Sequence, residues 1–237
     1  MRAELLQRSP EAIRQMFAEL VPFYDRSNTL LTVGLHYWWR RCAVQWSGAR
    51  PGVAVLDCAT GTGDFAFAFW RAVQPRGRVV GVDFCEPMLE RARQKAQRRG
   101  ASIEWVMADC HQLPFPDASF DISAIAFGIR NVREPTRCLW EMARVVRPGG
   151  RVVVLELGWP TGIWAGPYWL YSRYWIPLFG SLFARNRQAY AYLHASSASF
   201  PSGREFIELM ERTGAFRTVR AYSLMAGIAW CYVGTVS

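Results

Sequence analysis

From residue 51 onward, short apolar runs alternate with amphipathic segments, the pattern of parallel strands joined by helices. The runs predict strands from Val53 to Asp57, Arg78 to Asp83, Ile103 to Ala108, Phe120 to Ala126 and Arg151 to Leu157. Helical spacing covers Asp64 to Val73, Glu86 to Arg99 and Pro135 to Val146. Pro148-Gly149-Gly150 reads as a turn that stops the last of these helices and launches the fifth strand. A helix from Arg204 to Thr213, closed by Gly214, precedes two β-like runs, Phe216 to Ser223 and Gly227 to Val236. Their short link predicts an antiparallel pair at the end of the sheet. The expectation is an α/β fold with a seven-stranded, mostly parallel sheet. Residues 51–157 form its nucleotide-binding core and 201–237 complete the sheet. Residues 1–50 form a helical cap over the ligand edge, and 158–200 a second, aromatic one.

The first strand ends in an acid and breaks into Gly61-Thr62-Gly63-Asp64, a glycine-rich turn that opens a helix. Asp83 follows about 20 residues on, where dinucleotide folds hold a ribose hydroxyl. Charge then selects among ligands. Asp57 and Asp64 set two carboxylates where a pyrophosphate should sit, and carboxylates at a helix N-terminus repel anions. S-adenosyl-L-methionine, with its sulfonium and ammonium, suits such a site better than NAD. Asp57, Asp83 and Asp109 all close strands at the carboxyl edge, where open parallel sheets bind ligands. In this reading Asp83 accepts from both ribose hydroxyls, Asp109 and the Cys110 backbone meet the adenine edge, and Phe84 packs on the adenine face. Gly61 and Gly63 let the ligand approach the backbone, and Thr62 offers a hydroxyl. The competing reading is that Asp64 caps its helix and the other acids merely end strands.

With 237 residues and a 51% apolar share, the chain can bury one substantial core. Net charge is +9, and Lys95 is the only lysine among 28 basic residues. This balance favours an anionic surface as partner. No basic segment alternates with aromatics as in a nucleic-acid module, so a membrane is preferred to nucleic acid. The cysteines, Cys42, Cys58, Cys85, Cys110, Cys138 and Cys231, show neither Cys-x-x-Cys pairs nor histidines at ligand spacing. That argues against a disulfide scaffold or a zinc site and for a reducing cytoplasm. Met1 to Arg14 carries charges throughout and lacks a signal peptide's apolar core. Ile163 to Phe183 holds one charge, Arg173, and is long enough to cross a bilayer. Gly166-Pro167 and Pro177 interrupt it, and its Trp164, Tyr168, Trp169, Tyr171, Tyr174 and Trp175 are of the kind that prefers interfaces. The segment reads as a flap that lies on a membrane surface or closes over a substrate pocket. A homodimer is left open.

Three further strings carry a family resemblance: Leu113-Pro114-Phe115-Pro116-Asp117-Ala118-Ser119-Phe120-Asp121, Phe127-Gly128-Ile129-Arg130-Asn131-Val132 and Arg147-Pro148-Gly149-Gly150. Together they closely resemble the ubiquinone/menaquinone biosynthesis C-methyltransferases. Tyr24-Asp25-x-x-Asn28, Gly34-Leu35-His36, Trp39-Arg40-Arg41, Ile176-Pro177-x-x-Gly180-Ser181 and Tyr190-x-Tyr192-Leu193 are similar to that family's capping segments, so the likeness spans nearly the whole chain. Ala126, where many relatives carry serine, and the pair Trp38-Trp39 depart from it. The resemblance implies a Rossmann-like class I methyltransferase fold, S-adenosyl-L-methionine as cofactor, and methyl transfer to a ring carbon of a reduced polyprenyl quinone precursor. It further implies that Arg130 stabilises a phenolate and that Asn131 orients the same oxygen. The competing role for Arg130 is a salt bridge with Asp121 or Glu134. Tyr24, Asp25, His36, Tyr192 and His194 are secondary candidates. Methylation of another apolar small molecule, or a membrane-surface protein without turnover, are the alternative functions.

Overall fold

The computed structural model describes residues 10–160, 162–175, 192, 196–197 and 199–237. Three N-terminal helices, α1 (Pro10–Leu20), α2 (Tyr24–Leu31) and α3 (Leu35–Trp46), precede the sheet. The alternating part follows as β1 (Ala54–Cys58), α4 (Asp64–Val73), β2 (Arg78–Asp83), α5 (Glu86–Arg99), β3 (Glu104–Met107), β4 (Phe120–Ala126), α6 (Pro135–Arg144) and β5 (Val146–Leu157). A short helix α7 (Ala165–Leu170) starts the aromatic flap, and α8 (Arg204–Glu211), β6 (Phe216–Leu224) and β7 (Ala229–Val236) close the fold.

The seven strands form one sheet in the order β3-β2-β1-β4-β5-β7-β6. Pairing is parallel from β3 through β5, while β7 runs antiparallel to both β5 and β6. Buried strands carry apolar residues on both faces, and the two-residue period divides them between two cores. Along β5, Val152 and Val154 join the core packed by α6 and α8, and Val153 and Leu155 join the one packed by α3 and α4. The chain runs from β1 to β2 on one side and returns to β4 on the other, so the carboxyl ends of β1 and β4 flank the switch point where ligands enter such sheets.

One turn differs from expectation. Pro148-Gly149-Gly150 does not launch β5 but lies within it, as an irregularity between the pairs Phe120↔Val146 and Ile122↔Arg151. Opposite it, Asp121 accepts from the backbone N–H of Ala54 at 2.7 Å and pairs with Arg147, tying β4 to the start of β1. In the flap, Ala165–Leu170 is helical and Tyr171–Trp175 forms a π-helical turn. Residues 176–183, with Tyr190, Leu193 and His194, lie outside the described residues. Among the described residues no helix is long and apolar enough to cross a membrane.

Candidate functional site

Two strand-end turns meet at the switch point. After β1 the chain passes through Ala59 (φ 47°), and after β4 through Phe127 (φ 57°), both in the left-handed region that side chains rarely adopt. Gly128 sits between them: a Cβ there would lie 2.9 Å from Ala59 Cβ, so only glycine lets the turns touch. Backbone strain of this kind persists only where surrounding structure enforces it, and it gathers at functional sites. Gly63 starts α4 with φ 86°, and a Cβ would meet the Trp105 ring at 2.6 Å. The glycine turn is therefore pressed against β3.

The acids around this turn divide by burial. Asp57 is 1% exposed; its Oδ2 accepts from the Thr60 hydroxyl at 2.5 Å, while Oδ1 is buried without a partner. Burial pushes its carboxyl up to about 7 despite the Thr60 bond and the nearby Arg40. Asp83 accepts from the N–H of Gly61 at 2.8 Å and of Cys85 at 2.9 Å, and burial raises it to about 6. Asp83 thus holds the glycine loop and the β2–α5 loop in place, and each oxygen retains acceptor capacity toward the site.

Asp64 and Thr62 are engaged by other side chains of the protein. The Lys95 ammonium lies 2.7 Å from Asp64 Oδ1, 3.0 Å from Asp25 Oδ2 and 3.1 Å from Thr62 Oγ1, and Thr62 donates to Asp25 Oδ1 at 2.5 Å. Burial alone would raise Asp64, but Lys95 and Arg40 outweigh it and hold the carboxyl below its usual value. A paired carboxylate repels anions little, so the electrostatic case for a cationic ligand narrows to Asp57 and Asp83. Asp109 is exposed, with Oδ1 accepting from the His111 N–H at 2.9 Å and lying 2.6 Å from His111 Nδ1. The Cys110 side chain points away from the edge, into a core shared with Cys58 and Cys138. Phe84 lines an open cavity of about 420 Å³ with Arg14, Gln15, Pro87 and Met107, between α1 and the β2–α5 loop.

Arg130 and Asn131 form the short 3₁₀ turn after β4, Ile129–Asn131. Arg130 Nη1 donates to the Phe127 carbonyl at 2.8 Å and to Glu156, and the two side chains are only 8% and 2% exposed. Neither Asp121 nor Glu134 is its partner. Glu156 Oε1 also accepts from the Leu157 N–H at 2.8 Å, so the carboxylate is fixed from its own strand. Arg130 Nε and Asn131 Oδ1 are buried with no partner. Tyr24 of α2 and Tyr168 of α7 both lie within electrostatic reach of Arg130. Burial raises Tyr24, and it raises Tyr168 to about 12, so both hydroxyls stay protonated near neutrality.

α3 supplies a second buried cation. Arg40 Nη1 donates to His36 Nδ1 at 2.5 Å, and its guanidinium lies 5.1 Å from the centre of the Phe127 ring. Burial, reinforced by Arg40, lowers His36 to about 4. His36 is therefore a neutral ring that holds Arg40, not a proton donor at neutral pH. Lys95, Glu156, Arg40 and Tyr168 were not singled out as site residues from the sequence. Two carried a visible signal: Lys95 is the only lysine, and Glu156 is the one acid in an otherwise apolar run from Val152 to Leu157.

These residues fit S-adenosyl-L-methionine. Asp57 Oδ1 is an unpartnered buried acceptor for an ammonium, and Asp83 can accept from ribose hydroxyls. A Cβ at Gly61 would meet only Tyr24, at 3.9 Å, so the loop leaves room for a ligand against it.

Comparison with known proteins agrees with this fit. The ubiE/COQ5 methyltransferase family matches residues 6–236. Ubiquinone/menaquinone biosynthesis C-methyltransferase UbiE of Bdellovibrio bacteriovorus is 45% identical over 229 residues, 96% of this chain and 97% of that protein. Demethylmenaquinone methyltransferase of Deinococcus radiodurans is 42% identical over 229 residues, 96% and 94% of the two chains. A solved SAM-dependent methyltransferase from Aquifex aeolicus shares the fold, with TM-score 0.64 and 19% identity over 86% of this chain and 92% of that one.

Proposed function

Because the chain belongs to the ubiE/COQ5 methyltransferase family, we propose that it methylates a ring carbon of a reduced polyprenyl quinone precursor at the edge between β1 and β4. The acceptor is demethylmenaquinol, the 2-methoxy-6-polyprenyl-benzoquinol of ubiquinone synthesis, or both. One observation carries the reading. A buried arginine, clamped by Glu156, stands at the switch point with Arg130 Nε and Asn131 Oδ1 unused, across the touching turns from Asp57 and the glycine loop. Names of the relatives support the acceptor class.

S-adenosyl-L-methionine, when bound, supplies an electrophilic methyl group. Asp57 would hold its ammonium and Asp83 its ribose, with Phe84, Asp109 and the Cys110 backbone on the adenine side. The protein must make a quinol carbon nucleophilic and hold it in line with that methyl group. Loss of the quinol hydroxyl proton to a water molecule delocalises phenolate charge onto the ring; after methyl transfer the ring C–H proton is lost and the oxygen regains one, which restores the quinol with one net proton released. Arg130 stabilises that charge through its guanidinium; it stays protonated and so is not the base. Fixed by Glu156 and the Phe127 carbonyl before substrate arrives, it needs little reorganisation as charge develops. Asn131 orients the same oxygen. Tyr24 and Tyr168, both within electrostatic reach of Arg130, would narrow the site around the ring. The enzyme works at the inner membrane surface, where a polyprenyl tail resides.

Incubating purified protein with labelled S-adenosyl-L-methionine and reduced demethylmenaquinone tests the proposal. Label should enter the quinol and not the oxidised quinone, whose ring carbons are electrophilic. Methylation of the oxidised form would overturn the chemistry.

A further inference from the structure

Resting on that reading of a membrane-borne acceptor, we infer that the α2–α3 hairpin and the aromatic flap together form a face that docks on an anionic lipid surface. The hairpin exposes Phe23, Leu30, Val33, Tyr37 and Trp38 to solvent. Val33, at its tip, is 83% exposed with φ 50°, an apolar β-branched residue at a position whose backbone favours glycine or asparagine. Neither packing nor backbone geometry accounts for it there. The flap exposes Ile163, Trp169, Leu170 and Tyr174. The two segments adjoin, since the Tyr171 hydroxyl donates to the Leu31 carbonyl. Elsewhere among the described residues, the large exposed apolar side chains are only Met107, Trp140 and Met225. Two adjoining segments that both expose large apolar side chains mark an interaction site.

Charge names the partner. No Asp or Glu occurs from Gly158 to Gly203. On the hairpin, Asp25 turns inward to Lys95 and Thr62, while Arg26 and Arg41 are exposed. Arg173, also exposed, lies 5.8 Å from the Trp169 ring. Apolar side chains flanked by arginines, with acids withdrawn, complement a bilayer of anionic phospholipid. Tyr24 of the hairpin and Tyr168 of the flap both lie within electrostatic reach of Arg130.

The test uses the full chain and vesicles of phosphatidylcholine with or without phosphatidylglycerol. Wild type should sediment with the anionic vesicles and be released by salt. Leu30→Glu with Val33→Glu, and separately Ile163→Glu with Leu170→Glu, should weaken binding by on the order of a hundredfold, from the apolar area lost and the charge added. Trp140→Glu, an exposed change elsewhere, should bind as wild type. Circular dichroism and Tm should be unchanged in all three variants. Both double variants should methylate a water-soluble short-tail quinol at the wild-type rate and lose turnover of a long-tail quinol in vesicles. A wild type that methylates neither quinol overturns the acceptor reading. The docking face itself falls if an active wild type does not sediment, or if the double variants sediment as it does. It also falls if Leu30→Glu with Val33→Glu splits a wild-type dimer that binds no vesicles, which makes the face a contact between copies.

Discussion

The turns after β1 and β4 share a left-handed residue and touch through Gly128, yet they satisfy their polar groups in opposite ways. Around the first, the loop amide of Gly61 and the side chains of Thr60, Thr62 and Asp64 are all paired within the protein, leaving Asp57 Oδ1 as the exception. Around the second, Arg130 and Asn131 hold their places by a few bonds while Arg130 Nε and Asn131 Oδ1 stay buried and unmatched. Buried polar atoms without partners cost free energy and are rare in a finished frame. The first turn is thus a preformed cradle, and the second is completed by what binds to it.

The largest effect should come from the second turn. Arg130→Ala should lower single-turnover methyl transfer by roughly a hundredfold or more, about 3 kcal/mol of transition-state stabilisation, with S-adenosyl-L-methionine affinity nearly intact. It also leaves Glu156 as a buried charge without its cation, a stability loss of about 3–5 kcal/mol that denaturant unfolding would read. Adding Glu156→Gln should restore stability but not rate. Rescue of both by the double variant would reduce the arginine to a structural role.

At the first turn, Asp83→Ala removes the acceptor of two loop amides and the proposed ribose contact. Calorimetry should show affinity for S-adenosyl-L-methionine weakened by about a hundredfold. Unchanged affinity would leave Asp83 as a loop anchor only.

Asp57 sharpens the comparison through pH. Its folded pKa, about 7, lies above its ordinary value, so the protonated form is favoured by folding. That contribution to stability is fully present below the ordinary carboxylate range and is lost as pH rises through about 7. The ligand-free protein should therefore lose a few kcal/mol across this window, and Asp57→Asn should reduce the loss to the part that Asp83, raised to about 6, contributes. An ammonium beside Asp57 favours the carboxylate, so binding should strengthen as pH rises from 6 to 8 and release protons. Titration in buffers of different ionisation enthalpy measures this, and an equal pH dependence in Asp57→Asn would remove Asp57 from the ligand.

Thr62→Val should give the smallest effect. Its hydroxyl serves Asp25 and Lys95, so Tm should fall in line with about 1 kcal/mol while ligand affinity stays within about threefold. A tenfold loss of affinity would return Thr62 to the ligand.

Much of this frame was legible in the chain. β2, β4, α4 and α5 match the predicted bounds, because period and caps are local properties that few residues specify. The bulge at Pro148-Gly149-Gly150 was not legible, since a glycine turn reads the same whether it ends a strand or interrupts one. Charges were harder still. Asp64 follows the glycine turn as a ligand-facing acid would, but it pairs with Lys95, 31 residues away on α5.

By itself, the sequence determined the order of strands and helices, the glycine turn, the acids near the ends of β1 and β2 and the family. Each of these is written in spacing along a few neighbouring residues. Only the tertiary structure decided which charges are spent on one another. Lys95 meets Asp25 across 70 residues, and Arg130 meets Glu156 across 26, because β5 lies beside β4 in the sheet. A charge's partner is set by which strand ends adjoin and how deeply they are buried, and the strength of the pairing follows from that burial. Neither is a property of the local pattern, and here they separate the residues that brace the site from those left to act in it.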